Sequence, residues 1–167
     1  LQVRYQGFKQ VDPIDLRLHP YYLKQYNNRW FVFGWDEAGE RLMNMALDRV
    51  VSILPSKGKY ISNEHINFGE YFEDVVGVTV PEAEPEIIEI MVDTKHWPYL
   101  ETKPLHGSQK VLDKTKAGVR IQLELKVNYE MQALLLSYGD AIAVLKPAGL
   151  RKAMKERVRA TRERYRN

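Results

Sequence analysis

Leu18-His19-Pro20-Tyr21-Tyr22-Leu23-Lys24-Gln25-Tyr26-Asn27-Asn28-Arg29-Trp30-Phe31-Val32-Phe33-Gly34 is the stretch on which the fold of this chain turns. Asn27-Asn28 tolerates positive φ and suits a two-residue hairpin turn. The residues on both sides of it are β-branched or aromatic, the types that fit a pleated surface. The stretch therefore predicts a hairpin, with a strand over 21–25 and its partner over 29–35. Pro20 donates no ladder hydrogen bond, so His19-Pro20 marks an edge or a bend.

Outward from the hairpin, residues 14–18 alternate apolar and polar, the period of a half-buried strand, and residues 1–5 form a first strand. Asp12-Pro13 and residues 36–39 are turns. A strand is expected over 41–50, ending within 51–55. Short strands joined by tight turns argue a small antiparallel barrel. Residues 67–74 carry Phe68, Tyr71 and Phe72 at helical spacing, and Gly77 follows as a stop. The acidic, proline-bounded segment 81–86 is extended and stiff and serves as the linker between domains 1–80 and 87–167.

The second half reads differently. Residues 87–92 form a strand, and 94–100 a short helix with Thr94 as its cap. A strand over 106–112 follows. Val119, Ile121, Leu123, Leu125 and Val127 alternate with polar residues, giving the chain's strongest strand signal. Asn128 caps a helix that Gly139 stops, 141–145 is the last strand, and Pro147 opens the final helix, with Leu150, Met154 and Val158 on one face. This β-α-β-β-α-β order is the split βαβ layout. The fold class is mixed β and α+β: a small β-barrel, then a ferredoxin-like domain with a C-terminal helix.

Composition narrows the chemistry. The 167 residues are 44% hydrophobic, enough for one domain or two small ones, and the formal net charge is only +3. Basic residues concentrate at the ends, with five Lys/Arg against two Asp/Glu over 1–34 and eight against two over 150–167. The C-terminal run is read either as a solvated helix face or as a surface for nucleic acid or a partner subunit. With no cysteine, disulfides, thiolate metal sites and cysteine nucleophiles are excluded. No membrane-length apolar run and no signal peptide is present, so a cytoplasmic location is expected. Strand character already at Leu1 leads to the expectation of a preceding segment.

There is no GxGxxG, P-loop, GxSxG or HExxH. His19, His65, His96 and His106 have no metal-ligand spacing, and carboxylates do not cluster. No cofactor, metal or enzymatic activity is expected. What stands out is aromatic faces (Tyr21, Tyr22, Tyr26, Trp30, Phe31) interleaved with cations (Lys24, Arg29, Arg49). Bases stack on rings at about 1–3 kcal/mol each while phosphates sit on cations, so this mixture suits a single-stranded nucleic acid or a nucleotide. Arg49 lies among aliphatics, where a guanidinium needs a partner: either Asp48 pairs with it structurally, or an anion does. His19 reads as a core histidine or a ligand residue, Trp30 as core before platform, and Tyr5 and Tyr22 as either.

Arg29-Trp30-Phe31-Val32 together with Leu47-Asp48-Arg49-Val50 resembles the WYL domain, and His19-Pro20-Tyr21-Tyr22-Leu23-Lys24 is similar to the segment upstream of its motif. Leu105-His106-Gly107-Ser108-Gln109, Tyr138-Gly139-Asp140 and Leu145-Lys146-Pro147-Ala148-Gly149-Leu150-Arg151 resemble landmarks of the extension that accompanies it. The resemblance implies an Sm- or SH3-like barrel with a ferredoxin-like extension. It also implies a bacterial transcriptional regulator with an N-terminal helix-turn-helix domain bound to operator DNA, a homodimer, and single-stranded nucleic acid as the sensed ligand. The family's strand-one Tyr falls on Tyr5, its His on His19 and its motif Arg on Arg49. Phe31 replaces the Tyr that names the family, and Ala46 stands where many members have Arg, leaving one cation fewer. The expected ligand-binding set is Tyr5, His19, Tyr22, Lys24, Arg29 and Arg49. A regulator sensing a nucleotide or small molecule without polymer contact is the alternative, and an enzyme acting on nucleic acid is disfavoured.

Overall fold

A computed structural model describes residues 1–166. The chain divides into two compact units, one of Leu1–Tyr71 and one from Phe72 onward. The division falls ahead of the acidic segment 81–86.

The first unit is one five-stranded antiparallel sheet, in the order β4-β3-β2-β1-β5, with one helical turn. The strands are β1 (Gln2–Tyr5), β2 (Ile14–Tyr26), β3 (Arg29–Asp36), β4 (Arg41–Ala46) and β5 (Val50–Leu54), and the turn is α1 (Phe68–Tyr71). The two strands expected around Pro20 are one. Strand β2 pairs β1 over Ile14–Arg17 and β3 from Leu18 onward, with a bulge between Pro20 and Tyr22. Pro20 supplies no N–H, so the ladder shifts there instead of ending. Gly34 faces Pro20; a Cβ at Gly34 would sit 2.6 Å from the His19 carbonyl oxygen and 2.9 Å from the Leu18 side chain. Asn27 and Asn28 have φ of 46° and 59° and close the hairpin as expected. Alternation buries Val3, Tyr5, Leu16, Leu18, Val32 and Met45 together as the core of this unit.

The single strand expected over 41–50 is broken. Leu47–Arg49 form a 3-10 turn between β4 and β5, which lie at opposite edges of the sheet and so cannot be one run. Among the described residues no ladder joins β4 to β5. The sheet is therefore open, where a closed barrel was expected. The turn takes Leu47–Arg49 out of extended geometry at the corner, and β5 pairs only with β1, across a further bulge at Arg4/Tyr5.

The second unit follows the expected element order: β6 (Glu86–Val92), α2 (Trp97–Thr102), β7 (Lys110–Thr115), β8 (Gly118–Leu125), α3 (Tyr129–Ser137), β9 (Ile142–Lys146) and α4 (Ala148–Arg164). Its antiparallel sheet runs β7-β8-β6-β9, so β8 lies between β6 and β7. Ile88, Ile90 and Val92 of β6, Val119, Ile121, Leu123 and Leu125 of β8, and Trp97, Leu100, Met131 and Leu135 of the helices are all buried. Asn128 caps α3 by accepting the Met131 N–H at 2.7 Å, and its amide donates to the carbonyls of Val76 and Thr79, each at 2.8 Å. That bond pair ties residues 76–79 into this unit. The turn before α2 is organised by Asp93, which accepts the Lys95 N–H at 2.6 Å, and not by Thr94. Strand β7 begins four residues later than expected, because Ser108 and Gln109 spend their side chains on Glu124, Leu100 and Leu105. No helix among the described residues is long and apolar enough to cross a membrane.

Candidate ligand site on the first unit

The β2–β3 register sets Tyr22 opposite Phe33, Lys24 opposite Phe31 and Tyr26 opposite Arg29. Directly paired residues share a face, so Tyr22, Lys24 and Arg29 of the expected set stand on one side of the sheet. Tyr22 stacks flat on Phe68 of α1, ring centroids 4.7 Å apart at 7°, and Phe68 meets Phe33 and Tyr71 edge-on. Burial lowers the pKa of the Lys24 ammonium below its usual range, because desolvation disfavours the charged form.

Arg49 and Asp48 are neighbours in sequence but not partners. Asp48 pairs with Arg29 across the sheet corner, Nε to Oδ2 at 3.1 Å, both side chains part-exposed. Arg49 instead lies over the ring of Phe8, its guanidinium carbon 4.0 Å from the centroid. Its Nε is buried and has no hydrogen-bond partner among the described residues. A half-buried guanidinium stacked on an exposed ring, with no acid paired to it among the described residues, is the feature of this unit best suited to an added anion.

His19 sits elsewhere. It is 3% exposed, and its Nδ1 accepts the Ile61 N–H at 3.0 Å. The neutral ring therefore carries its proton on Nε2, which faces Glu37 Oε2 at 3.3 Å. Arg17 binds both oxygens of the same carboxylate, at 3.0 and 3.2 Å. Hydrogen bonds from Arg17 and then His19 hold the Glu37 carboxyl below its ordinary 4.5. Tyr60 leans on the His19 ring and donates to the Pro20 carbonyl at 2.9 Å. Tyr5 belongs to the core. Trp30, expected to pack, is 48% exposed beside the Asn27-Asn28 turn.

Two surfaces therefore emerge in place of one pocket. The aromatic-basic face holds Tyr22, Lys24 and Arg29, and Arg49 lies at the corner beyond it. An apolar cleft of about 550 Å³ is lined by Val3, Leu18, Tyr22, Leu23, Val32 and Leu47, among others. Of the six expected residues only Tyr22 lines that cleft. The sequence reading missed Phe8, Glu37, Tyr60 and Ile61, which sit in turns and loops whose composition carries no periodic signal. No group of three or more potential metal ligands occurs among the described residues.

Comparison with known proteins agrees with the motif reading. A WYL domain model matches residues 1–55, and a WCX domain model matches residues 84–162. Curated proteins give no match. Among solved structures, the proteasome accessory factor B/C (PafBC) of Arthrobacter aurescens is 18% identical with a TM-score of 0.40 over 95% of this chain. A protein described as CRISPR Cas-related is 12% identical with a TM-score of 0.49 over 98% of this chain. The chain spans only 24% of the first and 47% of the second. With Leu47-Asp48-Arg49-Val50 at the sheet corner, the first unit carries the WYL domain match over residues 1–55 and the second the WCX domain match over residues 84–162.

Proposed function

We propose that this chain is the ligand-sensing and dimerisation region of a cytoplasmic bacterial transcriptional regulator. Its first unit holds a single-stranded nucleic acid or another anionic ligand. The strand order of the first unit reads as an opened SH3-like sheet, and that of the second as ferredoxin-like. The observation that carries the proposal is Arg49, stacked on Phe8 and paired with no acid among the described residues, at the family's motif position. Asp48 does not compete for it, since Asp48 is taken by Arg29. Phosphate on the guanidinium and a base on Phe8 would use both halves of that pair.

We expect no turnover. Ligand occupancy can act on a DNA-binding domain preceding Leu1 only by favouring one arrangement of a homodimer over another. The test is binding of wild type and Arg49→Ala to a single-stranded oligonucleotide across a salt series. The variant should bind more weakly, with a salt slope shallower by about one. Identical curves would end the assignment.

The apolar cleft favours a second reading, a small-molecule or nucleotide sensor without polymer contact. Its volume of about 550 Å³ is within the usual range for small ligands. Tight mononucleotide binding with little salt dependence would select it.

A further inference from the structure

The second unit carries a groove that the proposed sensing role does not use. Helices α3 and α4 and strand β9 enclose about 410 Å³. Its floor is aliphatic: Leu135, Ile142, Val144, Met154 and Val158. Its rim on α4 is cationic: Arg151, Lys155, Arg159 and Arg162. These four recur at intervals of four, four and three residues, so they form one stripe beside the Met154–Val158 face. None of the four makes an ion pair or a side-chain hydrogen bond among the described residues. The acids of α4, Glu156 and Glu163, lie off this stripe by the helical period. Val158 is 54% exposed although it stands on the apolar face of its helix.

The pattern selects among occupants. A lone carboxylate on an alkyl chain needs cations at one end, whereas these span about 16 Å of helix, roughly one per turn. A single-stranded nucleic acid matches repeated charge but stacks on aromatic rings, and no aromatic residue lines the groove. A second copy seated symmetrically on this face would set two cationic rows against each other. An amphipathic helix with an aliphatic face and an acidic residue on each turn satisfies both floor and rim.

We propose that the α3–β9–α4 groove docks such a helix from a partner protein, aliphatic side chains on the floor and carboxylates along the Arg151–Arg162 rim. The test uses the whole chain and a labelled sixteen-residue peptide with Leu at i, i+3, i+4 and i+7 and Glu on the flanks. Fluorescence anisotropy is followed against three comparators: the same composition scrambled to destroy the apolar face, a single-stranded oligonucleotide and dodecanoate. The ordered peptide should bind at least tenfold better than the scrambled one. Lys155→Glu/Arg159→Glu should lose at least tenfold, and so should Val158→Asp, with far-UV circular dichroism unchanged in each. Equal binding of ordered and scrambled peptides would overturn the proposal, as would an oligonucleotide or dodecanoate being the species displaced by these substitutions. A change of oligomeric state in Val158→Asp would assign the face to self-association and overturn it too. The Arg49→Ala variant should bind the peptide normally, which keeps this test separate from that of the sensing site.

Discussion

His19 offers the sharpest way to separate a ligand residue from a structural one, because its two ring nitrogens have different jobs. Nδ1 holds the Ile61 amide at 3.0 Å, and Nε2 faces Glu37 at 3.3 Å. His19→Ala removes both bonds and a nearly buried ring against Tyr60. The Ile61 amide loses its acceptor, a loss at the low end of about 1–3 kcal/mol because Ile61 is exposed and water can reach it. With the ring contact and the longer Glu37 bond included, the total is about 2–4 kcal/mol. His19→Asn and His19→Gln divide that total. The Asn oxygen lies near the position of Nδ1 and can still accept from Ile61, while the Gln amide lies near that of Nε2 and can serve only Glu37. Hydrogen exchange at the Ile61 amide should therefore be slowest in wild type, then in His19→Asn, with His19→Gln and His19→Ala together and faster. A difference of about 1–2 kcal/mol in local opening corresponds to about 5–30-fold in exchange. If His19→Gln protects Ile61 as well as His19→Asn does, the Nδ1 bond does not hold this loop and the reasoning fails.

In the second unit, Asn128→Ala should cost about 2–4 kcal/mol, from the lost α3 cap and from one buried carbonyl, that of Val76, and one part-buried carbonyl, that of Thr79, left without this donor. Asn128→Asp keeps the cap but offers no donor to Val76 and Thr79; urea midpoints no worse than wild type would show those two bonds to be unimportant. For pH, the Glu37 carboxyl is held below its ordinary 4.5, so the unfolded chain takes up this proton first as pH falls. Its contribution is complete above about 4.5 and is lost as pH drops through the lower folded value. Urea midpoints measured from about pH 6 to pH 3 should thus fall less in Glu37→Gln than in wild type, and parallel curves would count against the Arg17–Glu37–His19 network.

What the sequence disclosed followed the range of the interactions involved. Asn27-Asn28, the period-two run into Leu125 and the Asn128 cap are set by bonds a few residues long, and all three were legible. The 3-10 turn at Leu47–Arg49 was not, because Leu-Asp-Arg-Val holds no Gly, Pro or Asn to mark a turn and only the separation of β4 from β5 forces a break. His19 looked ambiguous because its acceptor role is set by Ile61, forty-two residues on, in a segment with no periodicity. Trp30 was expected in the core on the strength of its size; it stands two residues from the Asn27-Asn28 turn and is half-exposed.

The same limit governs the site. Reading Asp48 and Arg49 as a pair assumes that neighbours in sequence face each other, whereas adjacent side chains diverge in extended or turning backbone. Arg29 reaches Asp48 only because the β2–β3 hairpin and the β4 corner bring strand β3 to that turn. That distant pairing leaves Arg49 without an acid and places it on Phe8, a residue that adds no strand signal of its own. That placement is therefore a product of the fold.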